Sequence, residues 1–365
     1  MPEDGPTLLC VATQGPGSGD HARLMALLRS FDATDVAFDR GRKARSAARV
    51  VLAGLRRRPD LVVMEGTGLA GGAAVLALRL VAGIPYVVSS GDAVAPLVGS
   101  LARWAGPPAA LYERLLCRRC AGFVGWSPYL VGRALTFGAP RAMTAANWAT
   151  TAADPTAGTG RAAIRARLGI REGTIVFGIV GKLTWNRRRR YCYGRELVQA
   201  VVRSGRPDVA VVIVGDGDGR GALEADAGAL AGRSVLFTGN VARGEVGGYL
   251  AAMDVASLPQ STDAVGAFRY TTKLSEYLAA RIPVVTGQLP LAYDLDGGWL
   301  WRLPGDAPWD DRYVDALAAL MDKVTPEEIG RRAAAIPTHL DVFDEARQRR
   351  ALEAFLHDLV DAPRR

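Results

Sequence analysis

The residues best suited to chemistry gather in three short segments of the C-terminal half. The first is Thr271-Thr272-Lys273-Leu274-Ser275-Glu276-Tyr277-Leu278, where Thr271 is placed to cap a short amphipathic helix that ends before Pro283. The N–H groups of Thr272 and Lys273 then point outward from the helix start, where the dipole favours an anion such as a diphosphate. Glu276, one turn further in, can accept hydrogen bonds from two adjacent sugar hydroxyls. A capped surface helix with a solvated Glu276 is the plainer reading of the same residues. In the second segment an apolar strand ends at Gly181, followed by Lys182 and by Arg187, Arg188, Arg189 and Arg190. Cations so placed can neutralise a diphosphate leaving group as its charge develops, or form a solvated basic turn. In the third, Asp216-Gly217-Asp218 looks like a metal-binding pair, yet it lies between an apolar strand and a helical pattern. It reads as a strand-to-helix turn whose acids suit the next helix's first turn, and no metal site is expected.

The N-terminal half offers weaker candidates. Gly15-Pro16-Gly17-Ser18-Gly19 follows the first strand and Asp39 comes about 20 residues later, as in a dinucleotide fingerprint. The third glycine of that fingerprint falls at Asp20, however, where an acid would repel pyrophosphate. Asp92, just past a strand's carboxyl end, can orient or deprotonate an acceptor hydroxyl, or can cap a helix. His21 lies near the same loop and is expected on a helix face. Cys117 and Cys120 form a lone C-x-x-C without the second pair or histidines that zinc would need, so a helix face is expected. Cys10 fits a buried strand. Reduced cysteines and a cytoplasmic location follow from this usage.

These residues need a frame to hold them. The chain has 365 residues, 49% of them apolar, which suits two domains with sizeable cores. The 45 Lys and Arg exceed the 37 Asp and Glu by +8. Basic residues are scattered apart from clusters at 56–58 and 187–190, which fits an anionic small substrate better than nucleic acid. The N-terminus lacks the basic and apolar regions of a signal peptide. The longest apolar stretch, 69–81, is too short to span a bilayer. The basic amphipathic segment 109–120 is read as a core-facing helix, with peripheral membrane contact as the other reading.

Apolar runs at 7–13, 35–38, 61–64, 86–89, 122–126 and 142–145 read as strands, separated by helical patterns at 21–30, 43–57, 70–82, 111–119 and 128–137. That alternation predicts a parallel sheet covered by helices. No apolar periodicity crosses 150–160, which reads as a linker. The pattern restarts with strands at 174–180, 209–214, 234–237, 255–258 and 283–285, and helices at 196–203, 222–230, 244–253 and 272–280. A last helix covers 344–360. Two doubly wound units of similar size imply a ligand cleft at the strands' carboxyl ends.

In order and spacing, the three C-terminal segments, together with 235–241 and 249–259, closely resemble glycosyltransferase family four of the retaining GT-B class. The match runs from Thr174 to Pro290, about half the chain, and the N-terminal half resembles the family in architecture alone. The resemblance implies an α/β fold of two Rossmann-like, doubly wound parallel-sheet domains facing each other across a cleft. Residues 1–150 would form the acceptor side and 161–335 the nucleotide-sugar-binding domain, with 336–365 a helix returning to the first domain. It further implies that Lys182, one of Arg187 or Arg188, Thr272 and Lys273 bind the donor diphosphate, that Glu276 holds the ribose and that the loop at Val241 recognises the base. The family often has a second Glu eight residues before the ribose Glu, contacting the transferred sugar. Phe268 stands there, so the loop with Phe268 and Arg269 would hold the sugar differently or hold a less hydroxylated one. The loop of Gly15, Gly17 and His21 would face the cleft.

The expected activity is metal-independent, retaining transfer of a sugar from a nucleoside diphosphate to a hydroxyl of a small-molecule or glycan acceptor, with no cofactor. Lys182, Glu276 and Asp92 are the residues expected nearest the chemistry. A nucleotide-sugar epimerase on the same fold and a non-catalytic sugar-nucleotide binder remain as other classes. Acceptor, donor base and oligomeric state are not encoded in any motif.

Overall fold

The computed structural model describes residues 5–149 and 160–362. The expected linker at 150–160 lies, apart from Gly160, outside the described residues. The chain divides into one unit of Met1–Asn147, Phe268–Tyr270 and Leu340–Arg365, and a second of Trp148–Ala267 and Thr271–His339.

The first unit runs β1 (Thr7–Ala12), α1 (Gly19–Leu27), β2 (Asp32–Asp35), α2 (Lys43–Arg57), β3 (Leu61–Glu65), α3 (Leu69–Ala82), β4 (Tyr86–Ser90), α4 (Val94–Leu101), α5 (Gly106–Arg119), β5 (Gly122–Gly125), α6 (Pro128–Thr136) and β6 (Ala142–Thr144). Its six strands are parallel in the order β2-β1-β3-β4-β5-β6. β3 and β4 are buried along their whole length, which is why they read as unbroken apolar runs. The edge strand β2 lies three residues before its expected place at 35–38, because Thr7 pairs with Asp32 and Cys10 with Asp35. An edge strand can be polar. Val36 and Phe38, whose apolarity suggested the strand, leave the ladder and bury in the core. α4 was not expected: Pro96 interrupts its pattern but sits in the first turn, where a missing N–H costs little. Cys117 and Cys120 lie buried at the end of α5, where the Cys120 thiol donates to the Cys117 carbonyl (2.9 Å) and burial pushes the Cys117 thiol up to about 12.

The second unit runs α7 (Arg161–Arg167), β7 (Ile175–Val180), α8 (Arg195–Ser204), β8 (Val209–Val214), α9 (Arg220–Ala227), β9 (Val235–Gly239), α10 (Val246–Ala251), β10 (Val255–Leu258), α11 (Thr272–Ala279), β11 (Val284–Thr286), α12 (Leu291–Asp294), β12 (Leu300–Arg302), α13 (Asp311–Lys323) and α14 (Pro326–Ala335). These strands are also parallel, in the order β12-β11-β10-β7-β8-β9. In its core the Glu196 carboxylate accepts from the Tyr191 and Ser257 hydroxyls (2.7 and 2.8 Å) and the Gly194 N–H (3.1 Å). Burial nevertheless pushes its pKa up.

The last helix, α15 (Glu345–Asp361), belongs to the first unit. Leu352 and Leu356 are buried. A Cβ at Gly122 on β5 would stand 2.7 Å from Phe355 and 2.8 Å from Leu359, so the helix lies hard against that strand. No helix among the described residues is long and apolar enough to cross a membrane.

Candidate functional site

In the second unit the carboxyl ends of β7, β8 and β9 meet at a pocket of about 530 Å³, lined by residues including Lys182, Asp216, Asn240, Val241 and Val246. The backbone turns there are tightly constrained. Gly181 donates to the Val214 carbonyl (2.9 Å), Leu183 to Asp216 (3.0 Å) and Gly215 to Gly239 (3.0 Å). Gly215 takes φ 134°, and a Cβ on it would lie 2.0 Å from the Gly181 carbonyl oxygen, so only glycine lets the two strand ends approach this closely. Lys182 is thereby fixed at the rim with its side chain exposed, and no described carboxylate pairs with it.

α11 stands beside this rim. Tyr277 is wholly buried, and its hydroxyl accepts from the Val180 N–H at 3.5 Å, tying the helix to the end of β7. The Lys273 ammonium lies 4.3 Å from the centre of the Tyr193 ring. A Cβ at Gly181 would stand 3.0 Å from Lys273 Cε, so Lys273 runs alongside the residue preceding Lys182. At the start of α11 the Leu274 N–H donates to the Thr271 carbonyl (3.0 Å). Thr271 occupies the N-cap position but its side chain makes no capping bond, and its buried hydroxyl has no partner. Glu276 is half-buried with no hydrogen bond from the described side chains. Burial pushes its carboxyl up, opposed by Lys273 and Arg243.

The structure therefore brings Lys182, Lys273, Glu276 and Val241 together around one strand end. Arg187 and Arg188 are exposed on the loop after β7. Arg189 is held away by Asp263 (3.2 Å) and by the Trp309 ring, 4.5 Å from its guanidinium carbon. Asp263 also receives the N–H groups of Val265 and Gly266 (3.0 and 3.1 Å), organising its own loop. Asp216 accepts from the Gly217 N–H and Asp218 from the Trp185 N–H, both at 2.8 Å, as a turn requires. Sequence reasoning missed Arg243, Tyr193 and Asp263. A cation two residues past Val241 was the only visible signal for the first. The other two act through partners distant in the chain.

The N-terminal candidates form a different cluster in the first unit. Arg23 on α1 is fully buried and bonds Glu65, the last residue of β3, at 2.6 Å, and the Ser89 hydroxyl at 3.1 Å. A further bond reaches the Ala145 carbonyl. The Trp126 indole N–H donates to the other Glu65 oxygen at 3.2 Å, and the Arg23 guanidinium carbon lies 4.7 Å from the Trp126 ring centre. Neither Arg23 nor Glu65 was singled out from the sequence. Gly15 has φ 88°, and a Cβ there would lie 2.7 Å from the Phe38 carbonyl. Gly17 is also left-handed, at φ 79°. His21 bonds Asp35 at 2.9 Å, on a helix face as expected.

One sequence reading needs correction. Asp92 does not cap a helix: α4 starts from Ala93 without a side-chain cap, and Asp92 instead pairs with Arg269. Phe268 lies in the first unit. It packs against the first unit's core, with the Arg133 guanidinium 5.6 Å from its ring centre and its carbonyl accepting from the Ser127 hydroxyl at 2.5 Å. Its apolar ring is satisfied by a cluster far away in the chain.

The Asp20 carboxyl, in the first turn of α1, is pushed up to about 6, by burial first and by Glu65 next. The folded state then holds this proton more tightly than the unfolded chain does. Its contribution to stability is present at low pH and is lost as pH rises from about 4 through 6. Asp20→Asn should flatten the loss over that range. Denaturant midpoints of both proteins across the range test this, and parallel curves would show that the folded state holds the Asp20 proton no more tightly than the unfolded chain does.

Residues 174–322 match a family model described as glycosyl transferases group 1, and residues 6–148 one described as a glycosyl transferase 4-like domain. Among solved structures, HepE of Anabaena in complex with UDP-glucose has 18% identity and a TM-score of 0.69, covering 96% of this chain and 99% of its own. A glycosyltransferase from Rickettsia africae has 11% identity and a TM-score of 0.67, covering 98% and 99%. An α,α-trehalose-phosphate synthase (UDP-forming) from Burkholderia xenovorans, in complex with glucose-6-phosphate, has 14% identity and a TM-score of 0.67, covering 97% and 100%. At such identities the likeness is one of fold. A sequence search of curated proteins found no match.

Proposed function

This chain belongs to the family-four glycosyltransferases and has their GT-B fold, and from that premise we propose that it moves a sugar from a nucleoside diphosphate to an acceptor hydroxyl, with retention and without a metal. The observation that carries the donor assignment is the pocket at the ends of β7, β8 and β9, where Lys182, paired with no described carboxylate, stands beside Lys273 and the start of α11. In this reading Lys182, Lys273, the first-turn amides at Thr272 and Lys273, and Arg187 or Arg188 hold the diphosphate. Glu276 accepts from the ribose hydroxyls, and the backbone at Val241 meets the base.

The reaction breaks the bond from the sugar's anomeric carbon to the phosphate oxygen, and its electron pair leaves with the diphosphate. The acceptor oxygen bonds the anomeric carbon on the same face, and its proton passes to the departing phosphate oxygen. Charge therefore grows on the diphosphate, where Lys182 and the helix start lie. Their stabilisation is larger in the transition state than in the bound donor. Asp216 and Asp218 are engaged in their own turn, which supports a reading in which positive charge comes from side chains.

UDP-glucose, the ligand of HepE, is the first donor to try. Calorimetry in EDTA with UDP-glucose and other nucleoside-diphosphate sugars tests the reading. The wild type should bind one of them, and Glu276→Ala should weaken that binding by on the order of 1–3 kcal/mol. Unchanged affinity in the variant would remove Glu276 from the ribose. Binding or turnover that appears only when magnesium or manganese is restored would overturn the metal-free reading.

A further inference from the structure

Tyr193 lies in the loop between β7 and α8, half-buried between the buried residues Cys192 and Gly194. The loop is fixed on both sides of it. Two residues before, the Tyr191 hydroxyl donates to Glu196 at 2.7 Å; one residue after, the Gly194 N–H donates to the same carboxylate at 3.1 Å. Glu196 is wholly buried and is tied to β10 by the Ser257 hydroxyl at 2.8 Å. Gly194 takes φ 89°, and a Cβ on it would lie 2.9 Å from Ile213 Cδ1, so the backbone beside Tyr193 has little room to move. The Tyr193 ring packs against the second unit's core.

This anchored ring meets one charge, the Lys273 ammonium, 4.3 Å from its centre. A Cβ at Gly181 would stand 3.0 Å from Lys273 Cε and 3.2 Å from Tyr193 Cδ2, so the lysine stem and the ring share the space that this glycine leaves open. Among the described residues no carboxylate forms an ion pair with Lys273. An unrestrained lysine samples many rotamers, and ordering it on a ligand costs affinity. A carboxylate could order it, but would neutralise it and repel a diphosphate. An aromatic face attracts the ammonium and leaves its charge in place. We propose that Tyr193 is a positioning residue of the donor site, whose ring orients the Lys273 ammonium beside Lys182 before the diphosphate arrives. The proposal rests on the donor reading above and adds to it a residue that acts through Lys273.

Two measurements on the full chain test it. The first needs no ligand. The chain's lysines are Lys43, Lys182, Lys273 and Lys323, few enough to resolve as isotope-labelled dimethyl-lysines by NMR. The Lys273 signal, assigned with Lys273→Arg, should lie upfield of the others through the ring current and should lose that shift in Tyr193→Leu. The second is calorimetry with UDP, GDP and ADP and with their nucleosides. Tyr193→Leu should weaken the diphosphate that binds best by about tenfold and leave its nucleoside unchanged. Tyr193→Phe, which keeps the ring, should restore most of the affinity. Lys273→Met should cost at least as much as Tyr193→Leu, and combining the two should cost nothing further. Wild-type protein that binds none of the three diphosphates would overturn the donor reading. A Lys273 signal that Tyr193→Leu does not move, or diphosphate affinity that it does not change, would overturn the proposal alone. So would additive losses in the double variant, or an equal loss for the nucleoside, since the ring would then serve the fold and not the cation.

Discussion

Replacing Lys182 by alanine is expected to lower kcat by about 100-fold or more while moving KM much less. The asymmetry follows from when the charge develops. In the proposed reading the bound donor's diphosphate is already anionic and partly held by the helix start. The departing diphosphate gains further charge at the bond being broken, and a cation fixed there favours the transition state over the ground state. Lys182 is suited to the role because its backbone is clamped by the bonds of Gly181 and Leu183 to the end of β8, while its ammonium has no described carboxylate to neutralise it. Lys182→Arg, which keeps the charge, should restore much of the rate, and Lys182→Met should not. The side chain is exposed, so thermal stability should change little. Steady-state kinetics with the donor identified by calorimetry decides the matter. Equal losses in Arg and Met variants would point to geometry, and an unimpaired Ala variant would remove Lys182 from the reaction.

The second large effect concerns stability. Arg23→Met should destabilise the first unit by about 3–5 kcal/mol, because it leaves the Glu65 carboxylate buried without its cation. Burial already pushes the Arg23 guanidinium down while Glu65 pulls it back, so each ion is tolerated through the other. Adding Glu65→Gln to Arg23→Met should recover most of the loss, since the amide can still accept from Trp126 and no bare charge remains. Two units need not unfold together, so hydrogen exchange in β3 and β4 is the proper readout. Equal protection in the single variant and the wild type would mean that water reaches this pair.

How much of this was legible depended on whether a residue's role is local. β7, β8 and α11 announced themselves through apolar runs and a helix bounded by Thr271 and Pro283, and the pocket forms where those elements end. β12, Leu300–Arg302, was missed, although β6 and β11 are equally short and were read from their apolar runs. Thr271 took the cap position expected of it but not the expected bond, because side-chain orientation depends on packing that the sequence does not display. Arg23 and Glu65 lie 42 residues apart, on a helix and a strand that each look ordinary alone. The surroundings of Phe268 were hidden for the same reason. Its position was inferred from chain spacing, while its burial is set by Arg133 and the first core.

The grouping of Leu340–Arg365 with Met1–Asn147 means that the second unit is spliced into the first along the chain. During synthesis the ribosome must therefore complete the second unit before it makes α15. At about 5–20 residues per second, the interval spanned by the second unit lasts roughly 10–40 s. Throughout it, Gly122 on β5 lacks the Phe355 and Leu359 side chains that later cover it. The unit begun first is finished last, and its β5 waits for that whole interval for the helix that covers Gly122.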